Sequence, residues 1–464
     1  MPLANTGPEP AGRGRRRDLI VATAVEEFAR HGYDAASTNR IAQRAQVAKG
    51  LLFRHFGSKE GVLDAALQQA CDVVFAWDGK PLPGDPFERL EAFVARRVAR
   101  ITAHPVHARL VAQFRPRLTA VLNAPARRIE AAYAPLRAVF RDGVDGRSFR
   151  AGIRHEAALE VLLLVAEGLE GRVLDALWAS APVSRGGTGA AGVEAWAVHQ
   201  QVQGFARLLR HGLYRPGARA SPQPAPVDPA AFLELPARLA PAPRGDDQRR
   251  ERILGAAQRL FAQRGYDGTT AEAIAAQAGV AKGLIFHHFG SKAALYLSAV
   301  ADAITRISTA FFQEEEAPEP DLLQRLLLWT QRKIRIFQKE PTLYRLVLSA
   351  FVAPPPAVRD AMGQYLAEGT QRGWGLILDG VDTAPFRPGV ELGQAVELVM
   401  LVLNTFIDRT LRALAAQSPP PLEVLPSVAE RVGEYLGLLR DGLAPGETGQ
   451  GAGAGGGGAG PPGA

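Results

Sequence analysis

Apolar residues recur at helical spacing through nearly the whole chain, with polar residues on the faces between them. Ile20, Ala24 and Phe28 form an i, i+4, i+8 stripe, and Ile253, Ala257 and Phe261 repeat it. Such a stripe is the core-facing side of an amphipathic helix. No run of alternating β-branched and polar residues is long enough for a sheet. The pattern therefore predicts an all-α protein. After the first sixty residues it predicts helices over 60–77, 86–103, 106–122, 126–141, 155–179 and 192–212. Further along it predicts 292–314, 320–338, 341–352, 357–378, 389–416 and 422–441, with Pro and Gly clusters between them.

One stretch of the pattern occurs twice. Residues 28–59 (FARHGYDAASTNRIAQRAQVAKGLLFRHFGSK) and 261–292 (FAQRGYDGTTAEAIAAQAGVAKGLIFHHFGSK) agree at 19 of 32 positions without a gap. An offset of 233 residues marks a duplicated domain, because solenoid units span only a few tens of residues. The likeness continues downstream: RDGVDGRSFRAG (141–152) answers LDGVDTAPFRPG (378–389), and each precedes an apolar helix with an aligned Glu160 or Glu397. His104-Pro105 pairs with Glu340-Pro341, and LLRHGL (208–213) with LLRDGL (438–443). The whole subunit is duplicated.

Each copy reads as a helix-turn-helix. Gly32 and Gly265 supply the left-handed residue that ends a helix. Ser37 and Thr270 are placed to cap the second helix, since a hydroxyl accepts an early backbone N–H. Ile41, Ala42 and Ala45, with Ile274, Ala275 and Ala278, form its buried face; Gln46 and Gly279 fall at the turn. Val47 and Val280 begin the third helix, which runs to Phe56 and Phe289. That helix is the natural reader of a major groove.

Charge and composition narrow the picture. A net charge of +7 and a pI near 9.7 suit a polyanionic partner without demanding one. The single cysteine, Cys71, excludes an intrachain disulfide and reads as a buried structural thiol. Asp18, Glu26 and Glu27 interrupt any signal-peptide pattern, and the apolar runs 161–166 and 398–403 are too short to span a bilayer. A soluble, cytoplasmic protein with no membrane partner is expected. Breakers divide it into a disordered 1–12, a helix-turn-helix domain 13–60, a helical regulatory domain 61–214 and a Pro-rich linker 215–244. A second helix-turn-helix domain 245–293, a second regulatory domain 294–443 and a disordered Gly-rich tail 444–464 follow. The linker reads as extended and semi-rigid, with the apolar run 232–235 docking on a neighbour.

The run from Phe28 to Lys59 resembles the TetR family of transcriptional regulators in its glycine turn, Ile-Ala pair, Val-x-Lys-Gly, aromatic-x-His-Phe block and closing Ser-Lys. The resemblance covers both halves. It implies a three-helix DNA-binding domain, a helical domain that binds a small-molecule effector, and dimerisation through the last two helices. Duplication would turn the usual homodimer into a single-chain pseudo-dimer on a double-stranded DNA operator; further homo-oligomerisation stays open. The candidate DNA-facing residues in the first copy are Ser37, Thr38, Arg40, Ala48, Lys49, Gly50, Leu51, Phe53, Arg54, His55 and Lys59. In the second they are Thr270, Ala281, Lys282, Gly283, Leu284, Phe286, His287, His288 and Lys292. Lys49 and Lys282 reach either a guanine edge or a phosphate, while Lys59 and Lys292 read as phosphate anchors. The clusters Arg13, Arg15, Arg16, Arg17 and Arg249, Arg250, Arg252 add backbone or minor-groove contacts.

Two departures from the family pattern stand out. Phe53 and Phe286 replace a tyrosine common in relatives, and Leu51 and Leu284 replace Thr or Ser. The copies also differ: Arg54 becomes His287, and Asn39-Arg40 becomes Glu272-Ala273. The second unit thus offers fewer positive charges, and unequal half-sites are expected.

Other constellations carry less. His55 and His288 suit packing or orienting roles, and His104 and His107, at i, i+3, lack a partner cluster, so no metal is expected. No cofactor is expected. Trp77, Phe114, Trp178, Trp329, Trp374 and Phe406 either line a pocket or form ordinary core, and the effector is unknown. No phosphate loop, nucleophile elbow or carboxylate pair supports an enzyme. The competing reading is an interaction or architectural helical module with one or both readers degenerate.

Overall fold

The expected stripe lies fully buried along α1 (Ala11–Ala35), where Ile20, Ala24 and Phe28 have no exposed surface. The computed structural model describes residues 11–114, 124–179, 189–219, 228–239, 248–313, 319–352, 354–415 and 424–443. Residues 11 and 12, expected to be disordered, open α1; the other residues expected to be disordered at the termini and the side chain of Arg13 lie outside the described residues. After α1 come α2 (Thr38–Arg44), α3 (Lys49–Phe56), α4 (Lys59–Val74), α5 (Pro86–Ala103) and α6 (Pro105–Phe114). The first half closes with α7 (Ala124–Arg141), α8 (His155–Ala179) and α9 (Gly189–His211). Two short helices, α10 (Ala230–Leu233) and α11 (Leu235–Leu239), lead to α12 (Gln248–Arg264), α13 (Ala271–Ala278), α14 (Lys282–Phe289) and α15 (Lys292–Gln313). The rest are α16 (Leu322–Lys339), α17 (Pro341–Val352), α18 (Arg359–Leu378), α19 (Leu392–Ala415) and α20 (Leu425–Asp441). Among the described residues no strand forms beyond an isolated bridge between Tyr214 and Phe386.

Local chemistry sets the boundaries. Gly32, at φ 72° and ψ 174°, bends α1 through a region open to glycine alone. Ser37 and Thr270 cap α2 and α13, accepting from the amides of Arg40 (3.4 Å) and Ala273 (3.2 Å). The turns then pass through Gln46 (φ 54°) and Gly279 (φ 66°), as their positions suggested. The third helices begin two residues later than Val47 and Val280, because Ala48 and Ala281 keep an extended backbone. The linker expectation needs a correction. Residues 230–239 are helical, because their apolar face docks on α15 and α18: Leu235 is buried and Phe232 meets the Phe312 ring at 6.0 Å. Pro229 and Pro236 sit at helix starts, where no amide is needed.

The two halves meet along α8, α9, α19 and α20, and one hydrophobic core continues across them. Their contacts are reciprocal. The Leu213 amide donates to the Leu439 carbonyl (2.9 Å), and the Leu443 amide to the Leu209 carbonyl (2.8 Å). The Arg150 amide donates to the Leu443 carbonyl, and the Arg387 amide to that of Leu213. Arg172 pairs with Glu397 at 2.6 Å, while Arg431 and Arg409 reach Glu160 at 3.1 and 3.8 Å. Swapping the halves maps each contact onto its counterpart, which is the signature of an isologous contact. Close approach needs small residues here: Gly168 sits beneath Leu401 and Thr405, and Gly212 and Gly442 bring the two backbones together.

Candidate nucleic-acid interface

Each reader is held by its own framework. In the first, the carboxylate of Glu27 lies buried in α1 and accepts from the Ser37 amide (3.0 Å) and Arg40 Nε (2.7 Å). Arg40 Nη2 also donates to the Ala35 carbonyl at 2.7 Å. Arg40 therefore braces α1 against α2. The second reader has Leu260 and Ala273 at these places and relies on apolar packing. Ser58 and Ser291 cap α4 and α15 by accepting from the amides of Gly61 (3.2 Å) and Ala294 (3.0 Å). The spacing Ser-Lys-x-x at a helix start was the available signal for this role.

On α3 the exposed residues are Lys49, Gly50 and Arg54, with Ala48 just before them, while Leu52 is buried against the core. Leu51, Phe53 and His55 are half-buried, as is Thr38 at the start of α2. On α14 the exposed residues are Lys282, Gly283, Phe286 and His287, preceded by Ala281, with Leu284 half-buried. The space above Gly50 and Gly283 is open to 4 Å. A partner surface can thus approach the helix backbone closely there. His288 takes no part in this face; it is buried with Ile285 and Phe289, and its ring meets the His287 and Phe289 rings at 5.3 and 6.3 Å. Their i, i+3, i+4 spacing was the signal for that burial.

Four lysines stand beside aromatic rings. Lys59 Nζ stands 4.6 Å from the Tyr33 ring and Lys292 Nζ 4.3 Å from the Tyr266 ring. Lys49 and Lys282 lie 5.8 and 5.9 Å from the rings of Phe53 and Phe286. The Tyr33 hydroxyl donates to Glu60, and this bond is the main reason the Glu60 carboxyl is held down at about 2. Arg15, Arg16 and Arg17 are exposed on the first turns of α1, with Arg17 5.7 Å from the Phe56 ring; Arg249 and Arg252 are exposed on α12.

The readers diverge electrostatically at one place that the sequence comparison only hinted at. Glu272, where the first copy has Asn39, forms an ion pair with Lys282 on the neighbouring helix. Its hydrogen bond to Lys282 holds the Glu272 carboxyl below the ordinary range.

The remaining candidates fall elsewhere. Among the described residues, no group of three or more His, Cys, Asp or Glu is arranged to hold a metal, and no helix is long and apolar enough to cross a membrane. His104 and His107 meet edge to face at 6.1 Å. Trp374 borders a cavity, whereas Trp77, Trp329 and Phe406 pack on Phe93, Phe311 and Tyr435. Phe114 is half-buried, and the Trp178 side chain lies outside the described residues.

Residues 20–66 and 253–299 each match the profile of bacterial regulatory proteins of the tetR family. Similar curated proteins include the A-factor receptor protein of Streptomyces griseus, 41% identical over 64 residues, which are 14% of this chain and 23% of that protein. Another is the HTH-type transcriptional repressor KstR of Rhodococcus jostii (strain RHA1), 32% identical over 122 residues, 26% of this chain and 56% of that protein. The chain spans less than two thirds of the length of these relatives. A solved transcriptional regulator from Aquifex aeolicus VF5 is 19% identical, with a TM-score of 0.31 over 41% of this chain and 99% of that one. A matched segment thus stands at the head of each half, and the chain carries two TetR-like units in tandem.

Proposed function

We propose that this chain is a ligand-responsive transcriptional regulator, a repressor, that occupies a double-stranded operator as an intramolecular pseudo-dimer. The observation that supports the reading is the reciprocal seam, whose contacts map onto one another when the halves are exchanged; extended to the readers, the same exchange would pair α3 with α14. Two exposed, lysine-bearing helices related in this way suit two successive major-groove segments, about 34 Å apart. Because one chain carries both readers, the second is supplied at an effective concentration on the order of millimolar, and binding should persist on dilution. In a mobility-shift titration, Lys49→Ala with Lys59→Ala should weaken operator binding at least about tenfold and reduce the salt slope by about two. Light scattering should find one chain per operator. A shift that ignored both salt and these substitutions would reject the reading.

The ion pair between Glu272 and Lys282 favours a second, narrower reading in which the second reader is the weaker. Releasing Lys282 adds one cation to the face and removes one carboxylate from it. Glu272→Asn, which copies the first reader, should tighten operator binding about threefold to tenfold and steepen the salt slope by about 0.9. The gain should vanish when Lys282→Ala is added. Unchanged footprints on both half-sites would show that the pair does not limit the second reader.

A further inference from the structure

The two halves put different side chains at equivalent interior positions, and the exchange leaves one of them hollow. The correspondence is fixed by contacts. Asp85 and Asp321 cap α5 and α16, and Arg89 and Arg325 reach equivalent carbonyls, those of Phe140 and Asp142 in one half and of Ile377 and Asp379 in the other. Arg97 thus corresponds to Lys333. The Glu160 and Glu397 contacts align α8 with α19, so Glu170 corresponds to Ile407. By the same registers Tyr133 corresponds to Thr370 and Phe75 to Ser308.

In the first half these four residues form a closed plug. Arg97 donates to Glu170 through Nη2 (2.7 Å) and Nε (3.2 Å), and the Tyr133 hydroxyl donates to the same carboxylate at 3.2 Å. Phe75 packs edge-on against Tyr133 at 5.6 Å and lies 5.3 Å from the Arg97 guanidinium. In the second half the carboxylate and both rings are replaced by Ile407, Thr370 and Ser308. A cavity of about 1120 Å³ lies beside Ser308 and Thr370, between the halves: α10 and α15 to α19 wall one side, and Phe75 with α7 and α8, including Tyr133 and Glu170, wall the other. Phe337, Phe351 and Trp374 give it apolar walls, and Lys333 stands among them. The wall carboxylates are engaged elsewhere: Glu170 by Arg97, Glu130 and Glu167 by Arg137, and Glu397 by Arg172. Asp175 and Asp408 also have interactions of their own. Among the described residues no carboxylate pairs with Lys333. Lys333 keeps accessible surface toward the cavity, while the protein around it pulls its ammonium below the ordinary lysine range.

We propose that this cavity binds one amphipathic monocarboxylate per chain, its carboxylate paired with Lys333 as Glu170 is with Arg97. The apolar body of the ligand fills the volume that Phe75 and Tyr133 occupy in the first half. One equivalent is expected because the first half supplies its own carboxylate and rings. The inference deepens the ligand-responsive reading above and rests on it for its regulatory meaning, but the binding itself is measured without DNA.

The test is calorimetric titration of the full chain with dodecanoate and, as its uncharged match, dodecanol. Dodecanoate should bind at one per chain and at least about tenfold tighter than dodecanol, as a charge-assisted contact requires. Lys333→Met should erase that preference while leaving dodecanol binding intact. Thr370→Tyr, which returns the first half's ring to the cavity wall, should block dodecanoate in a protein of unchanged helicity. Equal binding of the two probes, two dodecanoates per chain, no dodecanoate binding, or undiminished binding by the Lys333→Met protein would each overturn the proposal. Operator shifts with ligand-free protein separate the two readings. Lost DNA binding with intact dodecanoate binding sinks the regulator, and the reverse sinks only the pocket.

Discussion

Replacing Gly212 and Gly442 together by alanine is expected to open the seam and cut operator affinity at least about a hundredfold, with both readers still folded. A Cβ on Gly212 would lie 2.5 Å from the Asp441 carbonyl carbon and the Gly442 amide, and one on Gly442 would lie 2.5 Å from the Gly212 amide. All of these atoms are backbone, so no side chain can swing aside. Both glycines also have positive φ, 82° and 81°, which alanine adopts only with strain. The clash falls between the reciprocal hydrogen bonds of Leu213 and Leu443 and would break both. The halves would stay tethered by the linker, but α3 and α14 would lose their fixed register. Avidity is lost to the extent that the altered geometry keeps both readers from engaging at once. Operator titration beside circular dichroism separates the outcomes: retained helicity with lost affinity is expected. Undiminished affinity in the double variant would mean that something other than this seam sets the reader spacing.

The same seam marks the limit of what the sequence discloses. Helical periodicity is local, so α5, α8 and α17 have the expected boundaries, 86–103, 155–179 and 341–352. The duplicated segment likewise exposes both readers, because caps, turn residues and buried stripes lie within a few residues of one another. The docked helices α10 and α11 were obscured by the prolines around them. Their reason for folding is a surface on α15 and α18 more than fifty residues away, so composition alone suggested an extended chain. Arg40 stands among the candidate DNA-facing residues, but its bond to Glu27, thirteen positions earlier, has no signal in the sequence. Lys49 and Lys282 looked equivalent, and only the folded turn brings Glu272 onto the second. Partnerships such as Arg97 with Glu170, across 73 residues, depend on which helices adjoin. Periodicity does not encode that.

That pair supports the other large prediction. Glu170→Ala should destabilise the chain by about 3–5 kcal/mol, the usual cost of stranding one member of a buried ion pair. Arg97 and Glu170 are both almost fully buried, and the remaining partner of Arg97 is the Val74 carbonyl at 2.6 Å. One carbonyl cannot compensate a guanidinium in that setting, and the Tyr133 hydroxyl would lose its acceptor as well. In the second half, Lys333 without a carboxylate faces a cavity, which eases its desolvation, whereas Arg97 is itself buried and does not line that cavity. In thermal unfolding the loss should lower the midpoint by about 10 °C, given a shift of about 2–4 °C per kcal/mol for a domain of this size. Removing both charges should recover most of it, since exchanging a buried pair for apolar residues of similar volume is often neutral or better. Arg97→Leu with Glu170→Leu is the matching protein, and a double-mutant cycle on denaturant midpoints measures the coupling. A coupling below about 1 kcal/mol would show that the plug is held by Phe75 and Tyr133 packing and that the ion pair contributes little.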